Sequence, residues 1–317
     1  MVVAAVMVLA ACGGDDDDGG GQATAGGKPE VTDLTLGTLP IVDVAPIQIA
    51  LDDGLFEKEG LKVKTEVMQG GAAAIPGLVS GELSVAFGAW PSFFQASTQG
   101  IELRAIANGV RAQPNFTLIL AKKGSPLEGK PSDLAGRTVA VNTLNNLGEL
   151  AVRSTLKQAG GDPAAVKLLE VPFPEMGAAL ERGDVDAIWA VEPFATLAKQ
   201  QGAVVVADSY TGPLENFPVA GYQVTKQFAD DNPNTVAAFQ RAITAASETA
   251  RSNPDRVRQL LPTSAKVPAA AAEEVALPEY LASIDQAQFQ RVVDYLNEFG
   301  IMKEKIQAGD LVVAPPS

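Results

Sequence analysis

From residue 31 onward, short apolar or alternating runs typical of strands are separated by segments with the spacing of amphipathic helices. Strands are predicted at residues 34–39, 61–68, 81–88, 116–121, 136–142, 166–171, 184–191, 203–208 and 219–225. Helices are predicted from residue 43 towards 54, in a short turn from 162, and at residues 70–78, 147–159, 174–181, 233–252, 255–261, 269–276 and 285–299. This alternation predicts an α/β fold with helices around a largely parallel sheet.

One pattern occurs twice in this alternation. Residues 80–91 read SGELSVAFGAWP and residues 182–193 read RGDVDAIWAVEP. Each segment follows a predicted helix and contains a glycine with an acidic residue, then an apolar strand, then a proline. Two similar α/β units favour two lobes over one continuous sheet.

The first residues of the chain suggest export. Residues 2–11 are an uncharged apolar run that is too short to span a bilayer but suits the core of a secretion signal. The run ends in Leu-Ala-Ala-Cys-Gly at residues 9–13, which resembles the lipobox of bacterial lipoproteins. That resemblance implies cleavage before Cys12 and a lipid anchor on its thiol. The alternative is a buried N-terminal element with a core cysteine, but the Gly- and Asp-rich residues 13–27 favour a flexible tether.

Composition narrows the function. Hydrophobic residues make up 46% of the 317 residues and charged residues 20%, which is typical of a globular protein with a large core. The net charge of -14 argues against binding to nucleic acid. There is no histidine, and Cys12 is the single cysteine. The sequence contains no Gly-x-Ser-x-Gly elbow, phosphate-binding loop or Cys/His cluster, so we predict no catalytic residue, no cofactor and no metal site.

A binding protein needs polar groups that converge where strands end. Two segments, 70–72 and 143–148, follow predicted strands and open helices, so their free N–H groups favour an anionic or carbonyl-bearing ligand. The alternative interpretation of these residues is ordinary helix capping. The candidates of these two segments and of the preceding strand end are Gly70, Gly71, Ala72, Asn142, Thr143, Asn145 and Asn146.

Aromatic and acidic candidates follow the repeated strands. Trp90, just after Ala89 at a strand end, is the predicted stacking residue, whereas Trp189 is predicted to lie in the core. Glu192 could accept hydrogen bonds from an amine, or could simply begin a helix. Basic residues are scarce nearby, so a heteroaromatic or amine-bearing ligand between Trp90 and Glu192 fits at least as well as an anion. Loop and crossing positions add the candidates Asp43, Phe116, Phe217 and Tyr222.

The order and spacing of several motifs carry a family resemblance. They are Pro46 with Ala50, GLFEKEGL at 54–61, the glycines at 70–71, LVSGEL at 78–83, DVDA at 184–187 and Glu-Pro at 192–193. With these motifs the chain resembles the type-2 periplasmic substrate-binding proteins of the nitrate/sulfonate/taurine and thiamine-pyrimidine-precursor group. The resemblance implies an α/β, two-lobed periplasmic-binding-protein-like fold, each lobe a mixed sheet flanked by helices, joined by a two-crossing hinge.

We therefore expect a signal peptide at 1–11 and a lipidated cysteine with a tether at 12–30. Lobe 1 is expected at 31–117 plus 219–317 and lobe 2 at 118–218. The expected function is that of a monomeric extracytoplasmic lipoprotein, anchored to the membrane through Cys12, which passes a small molecule to ABC permease subunits. Two alternatives stay open: an enzyme on the same scaffold, similar to those of menaquinone biosynthesis, and a ligand-sensing surface lipoprotein.

Overall fold

The computed structural model describes residues 27–315. The predicted signal peptide at 1–11, the predicted lipidation site Cys12 and residues 13–26 of the predicted tether lie outside the described residues. Among the helices within 27–315, none has both the length and the hydropathy needed to cross a membrane.

The strands and helices alternate along the chain as the sequence pattern predicts. The strands are β1 Asp33–Thr38, β2 Lys62–Val67, β3 Val85–Ala89, β4 Leu103–Arg111, β5 Thr117–Ala121, β6 Thr138–Val141, β7 Lys167–Glu170, β8 Ala187–Val191, β9 Val204–Asp208, β10 Pro218–Thr225 and β11 Glu279–Tyr280. The helices are α1 Ala45–Asp52, α2 Leu55–Lys58, α3 Gly71–Ser80, α4 Trp90–Thr98, α5 Leu147–Gln158, α6 Phe173–Arg182, α7 Phe194–Gln200, α8 Lys226–Asp231, α9 Pro233–Ser252, α10 Pro254–Ser264, α11 Ala269–Ala272 and α12 Gln286–Glu298.

Within the described residues, these strands form two separate sheets. The first has six strands in the order β11-β4-β10-β3-β1-β2, and the second has five in the order β7-β6-β8-β5-β9. We refer to the first sheet with the helices packed on it as lobe 1, and to the second sheet with α5, α6 and α7 as lobe 2. The chain passes from lobe 1 to lobe 2 between β4 and β5 and returns between β9 and β10.

Both sheets are mixed, so the simpler prediction of a largely parallel sheet is wrong. Strand β1 is parallel to β2 and β3, and β6 is parallel to β7 and β8. Strand β5 is the first strand of lobe 2 after the chain leaves lobe 1, and β10 is the first strand of lobe 1 after the chain returns. Both run antiparallel to their two neighbours. They arrive without the helical crossover that parallel pairing requires. The predicted lobe boundaries at 117/118 and 218/219 stay predictions.

Five elements were not among the predicted helices and strands: β4, β11, α4, α7 and α8. Pro91 was expected to follow a strand end, and a helix start was the alternative interpretation of the Glu-Pro pair at 192–193. In the structure each proline lies at the start of a helix, where its missing N–H costs nothing. A strand end followed closely by a helix is therefore how both repeated segments finish.

The core of lobe 1 is built around Trp90, the first residue of α4. Its side chain is fully buried and its ring meets those of Phe93 and Phe289 edge-on, at centroid distances of 5.6 and 4.8 Å. The ring also covers Gly221 on β10. A Cβ atom at Gly221 would lie 2.2 Å from Cζ2 of Trp90 and 2.5 Å from the carbonyl oxygen of Ala107. Only glycine fits at this position.

We predict that Gly221→Ala lowers the free energy of unfolding by about 1–3 kcal/mol, because the added methyl group overlaps a buried ring and a strand carbonyl. Urea unfolding followed by circular dichroism measures the change. Gly177→Ala is the matched control, since its added methyl group would meet only Oε1 of Gln201, at 3.4 Å. In helix α6 this control should raise stability by about 0.5–1 kcal/mol. Equal effects of the two substitutions would contradict the packing described here.

Candidate functional site

A cavity of about 40 Å³ lies between the two lobes, and we call it the interlobe cavity. Lobe 1 contributes Leu39, Ile41, Asp43, Gly71, Phe87 and Ala89, together with Val219 and Ala220. Lobe 2 contributes Asn142, Asn146, Leu147, Phe173, Trp189 and Val191. Neither lobe alone encloses this space, so the site exists only because the two sheets face each other.

The topology explains why these residues meet. The cavity borders the carboxyl ends of β1 and β3 in lobe 1 and of β6 and β8 in lobe 2. Helices α3, α5 and α6 begin at the same edges. Open α/β sheets leave a crevice beyond the carboxyl ends of their parallel strands, and here two such crevices face each other.

Hydrogen bonds join the lobes at the rim of the cavity. Asn146 caps α5 by accepting from the Leu147 N–H, and its Nδ2 donates to Ser92 Oγ of lobe 1 at 2.6 Å. Nearby, Gln95 Nε2 donates to the carbonyl oxygen of Asn145 at 2.5 Å. The Val42 N–H donates to the carbonyl oxygen of Glu192 at 3.2 Å. The structure is therefore the closed form of a two-lobed molecule.

Asp43 is the charged residue of the cavity lining. The sequence predicts a helix that begins at Asp43, but Asp43 lies in the 3-10 turn Val42–Val44, and Val44 precedes helix α1 without a side-chain cap. The Asp43 side chain is 1% exposed, and no described residue donates a hydrogen bond to its Oδ1. Burial raises the pKa of the Asp43 carboxyl from 3.8 to about 7. This carboxyl is thus poised to change charge near neutral pH.

Five predicted site residues come together at the cavity, namely Asp43, Gly71, Ala89, Asn142 and Asn146. Gly70 and Thr143 lie beside it and face each other across the lobes, since a Cβ atom on Gly70 would lie 2.8 Å from Thr143 Oγ1. Ala72 and Asn145 are exposed and do not line the cavity.

Four aromatic candidates lie in the core. Trp90 is buried within lobe 1 because its backbone begins α4 and turns the ring away from the gap. Tyr222 packs edge-on against Phe87 and Phe239, and Phe116 and Phe217 are fully buried at the two crossings. An aromatic residue that follows a strand does not by itself predict a side chain in the cavity. Trp90 is the first residue of a helix, and its side chain points into the core of lobe 1.

Glu192 joins the lobes and does not line the cavity. Its carboxylate accepts hydrogen bonds from the N–H of Thr196 at 3.0 Å, from Thr196 Oγ1 at 2.8 Å and, across the lobes, from the Ala276 N–H at 3.3 Å. Burial raises the pKa of this carboxyl, while these hydrogen bonds lower it. Glu192 begins the turn into α7, which was the alternative interpretation of the Glu-Pro pair.

Trp189 was predicted to lie in the core, but it also forms a wall of the interlobe cavity. Its Nε1 donates to Ser209 Oγ at 3.1 Å, and its ring lies 6.0 Å from that of Phe173. Phe173 lines a second, wider groove of about 730 Å³ as well, where it stacks on Phe194. The strand alternation places Trp189 on one face of β8, but only the packing of lobe 1 shows that this face borders the cavity.

The described lining of the interlobe cavity contains an acidic side chain, that of Asp43, and no basic one. No lysine or arginine is among its lining residues within the part of the chain that the structure describes. Lys266 is the basic residue of the adjoining groove. Residues 27–315 contain no group of three or more histidine, cysteine, aspartate or glutamate side chains that could hold a metal ion. The cavity thus offers one buried carboxyl, two amides and aromatic walls.

The chain is similar in sequence to a known family and to periplasmic binding proteins. A profile described as the NMT1-like family matches residues 27–261. The taurine-binding periplasmic protein of Escherichia coli (strain K12) is 28% identical over 66% of this chain and 64% of its own length. The formylaminopyrimidine-binding protein of Halalkalibacterium halodurans is 25% identical over 74% of this chain and 71% of its own length. The chain therefore spans just under two thirds of the taurine-binding relative.

Solved structures confirm the predicted fold. The alkanesulfonate-binding protein SsuA from Xanthomonas axonopodis pv. citri, bound to MOPS, has a TM-score of 0.78 at 17% identity, covering 90% of this chain and 99% of that chain. The desulfurization enzyme DszB has a TM-score of 0.66 at 17% identity, covering 90% of this chain and 97% of that chain. At such identities the likeness shows the fold alone, and this fold carries both binding proteins and an enzyme.

We predict that Asp43 makes stability depend on pH. Between pH 4 and 7 the unfolded chain loses the Asp43 proton while the folded protein keeps it. The free energy of unfolding of the wild type should therefore fall by up to about 1.4 kcal/mol per pH unit relative to Asp43→Asn, and the gap should stay constant above pH 7. Urea titrations from pH 4 to 8 measure it. Glu66→Gln, which alters an exposed carboxylate on β2, should show no such trend; a flat Asp43→Asn difference would contradict the prediction.

Proposed function

The chain belongs to the NMT1-like family, and on that premise we propose that it is an extracytoplasmic solute-binding protein of an ABC importer. It holds a small molecule between its two lobes and passes it unchanged to permease subunits. The relatives named above, which bind taurine and a formylaminopyrimidine, support this assignment.

One observation carries the proposal: the interlobe cavity is walled jointly by both lobes at the strand ends of two sheets. A pocket built in this way forms when the lobes close and is lost when they open. Hinge closure around a ligand is the motion associated with this architecture. Capture and release need nothing more than an equilibrium between open and closed forms that the solute shifts.

The contacts at the rim supply the closing interactions. The hydrogen bond from Asn146 to Ser92 lies next to the cavity lining. The movement that encloses a solute therefore also forms this bond. The Glu192 carboxylate and the Ala276 N–H form a second bridge. Each hydrogen bond stabilises the closed form by about 0.5–1.5 kcal/mol. Contacts with a bound solute stabilise the closed form further.

The lining residues support binding over catalysis. Asp43 is the only titratable side chain that lines the interlobe cavity in the part of the chain described. Proton transfer in catalysis usually needs an acid and a base, or a base beside a nucleophile. Asn142, Asn146 and the aromatic walls fix the orientation of a guest but do not attack it.

The proposal includes export and anchoring through Cys12. The lipobox-like residues 9–13 and the Gly- and Asp-rich stretch after them support a tethered protein on the outer face of the cell membrane. Such a tether keeps the binding protein near its permease and raises the effective concentration of the solute-loaded form there.

We expect the full chain to be stabilised by one class of solute in a thermal-shift screen of nitrogen metabolites, sulfur metabolites and vitamin precursors. A solute at a hundred times its dissociation constant adds about 2.7 kcal/mol to stability. Cells that lack the gene should fail to take up that solute, and the recovered solute should be chemically unchanged. A converted product would favour the enzyme alternative.

A double-mutant cycle tests whether closure accompanies binding. Ser92→Ala and Asn146→Ala each remove one partner of the bond across the lobes. Ser92→Ala should weaken solute binding about fivefold, which corresponds to about 1 kcal/mol, and Asn146→Ala by at least as much, because Asn146 also lines the cavity. The double variant should bind no more weakly than the Asn146→Ala variant, because the two residues share one interaction. Additive losses in isothermal titration calorimetry would show that the bond is not made on closure.

Anchoring is tested separately. In membrane fractionation, wild-type protein should sediment with the membranes, and Cys12→Ser should appear in the soluble extracytoplasmic fraction. Solute affinity should be equal in the two forms, because Cys12 precedes the described fold. Equal distribution of wild type and Cys12→Ser between the fractions would contradict lipidation while leaving the binding function in place.

A further inference from the structure

We propose that Asp43 recognises a cationic nitrogen group of the solute, so that the transported molecules are small protonated amines, amidines or amino-substituted heterocycles. The inference rests on the proposed binding function and names the ligand class of the same cavity. It places the recognition of the nitrogen group on the turn before α1, and not on Glu192 as the sequence suggested.

The geometry of Asp43 has no structural explanation within the described fold. Within the described residues, the side chain is 1% exposed, forms no ion pair and caps no helix. Its Oδ1 receives no hydrogen bond from residues 27–315. A buried carboxylate oxygen without a partner is strongly unfavourable, and such groups are rare unless they serve a site. Since Asp43 lines the interlobe cavity, a donor that arrives in the cavity provides the missing partner.

The titratable groups around Asp43 do not pair with its carboxyl, so the carboxyl is available to a solute. Tyr210 of the second crossing, Tyr222 of β10 and Tyr280 of β11 are the titratable groups that sense its charge. Burial raises the pKa of each tyrosine above its ordinary value, so all three stay neutral. The hydroxyl of Tyr280 donates to the carbonyl oxygen of Val42 at 3.0 Å and is not directed to Asp43. No basic side chain of the described lining competes for the carboxylate.

The rest of the lining suits the same ligand class. Phe87, Phe173 and Trp189 supply aromatic faces, which attract cations and stack on heterocycles. Asn142 and Asn146 supply amides for the polar remainder of the solute. A simple anion would meet an ionised Asp43 with no lysine or arginine among the described lining residues to compensate, and like charges in a buried site repel each other strongly. The lining thus favours a solute with a nitrogen donor over an anion without one.

The test compares pairs of probes that differ in the nitrogen group alone. The full chain is titrated calorimetrically with taurine and isethionate, which exchange an ammonium for a hydroxyl, and with 4-amino-2-methylpyrimidine and 2,4-dimethylpyrimidine. Methanesulfonate and nitrate are the anion controls. The solute that emerges from the thermal-shift screen is titrated in the same way. Each measurement is repeated on Asp43→Asn and on the surface control Glu66→Gln.

We expect the bound solute to carry an amino or ammonium group and the partner probe without that group to bind at least tenfold more weakly. Asp43→Asn should lower the affinity about 10- to 100-fold, as expected for loss of a charge-assisted hydrogen bond, and Glu66→Gln should leave it unchanged. Circular dichroism verifies that Asp43→Asn is folded.

A second measurement uses the wild type alone and does not depend on the variant. At pH 6 the Asp43 carboxyl must release its proton to meet a cation, so binding should release protons, and the calorimetric enthalpy should depend on the ionisation enthalpy of the buffer. The affinity should fall up to about tenfold per pH unit below pH 7.

The outcomes separate this inference from the proposed function. Tight binding of methanesulfonate or nitrate, equal affinity for both members of a pair, or full affinity in Asp43→Asn would overturn the ligand class while the binding function stands. Absence of binding by every solute in the screen would remove the proposed function, and the inference would fall with it.

Discussion

The structure depends on one constraint: the chain crosses between two sheets twice, and each crossing strand pairs antiparallel within the sheet it enters. Strand β10 returns to lobe 1 and fits between β3 and β4, which closes that sheet around Gly221 and Trp90. Strand β5 takes the equivalent position between β8 and β9 in lobe 2. Because both lobes are fixed in this way, the carboxyl ends of their parallel strands face a common gap, and the cavity follows from the topology.

The gap contains one buried carboxyl, that of Asp43, with no ion-pair partner among the described residues that line the cavity. Most buried carboxylates in proteins are paired or accept several hydrogen bonds. Glu192 follows this rule, with donors from Thr196 and Ala276, whereas Asp43 does not. Two acidic residues at the lobe interface thus differ: Glu192 joins the lobes, whereas Asp43 has an oxygen, Oδ1, without a hydrogen-bond partner among the described residues. The difference arises from which backbone N–H groups lie within reach of each side chain.

Closure and recognition share residues. Asn146 caps α5, lines the cavity and donates to Ser92 across the lobes, so a single side chain connects the helix terminus, the cavity wall and the opposite lobe. In the proposed function, this arrangement couples closure of the lobes to what occupies the cavity, because both act on the same amide. The small volume of the interlobe cavity requires the lobes to open for entry.

The sequence by itself determined the order of most helices and strands, the two-lobed α/β architecture and the strand ends where the site lies. These features follow from local periodicity, from glycine and proline positions and from two repeated segments, and they need no knowledge of distant contacts. The candidates Gly71, Ala89, Asn142 and Asn146 line the interlobe cavity because residues at strand ends and helix starts cluster at one edge of such a sheet. Asp43 was named as a weaker candidate from its loop position.

Only the tertiary structure decided which candidates face the gap. Trp90 and Trp189 occupy similar places in two similar segments, but Trp90 is enclosed by Phe93 and Phe289 of its own lobe, whereas Trp189 borders the cavity. The isolation of Asp43 likewise depends on residues from β10, β11 and the second crossing, more than 160 positions along the chain. Burial and the absence of a partner are properties of long-range packing, which short-range sequence patterns do not encode.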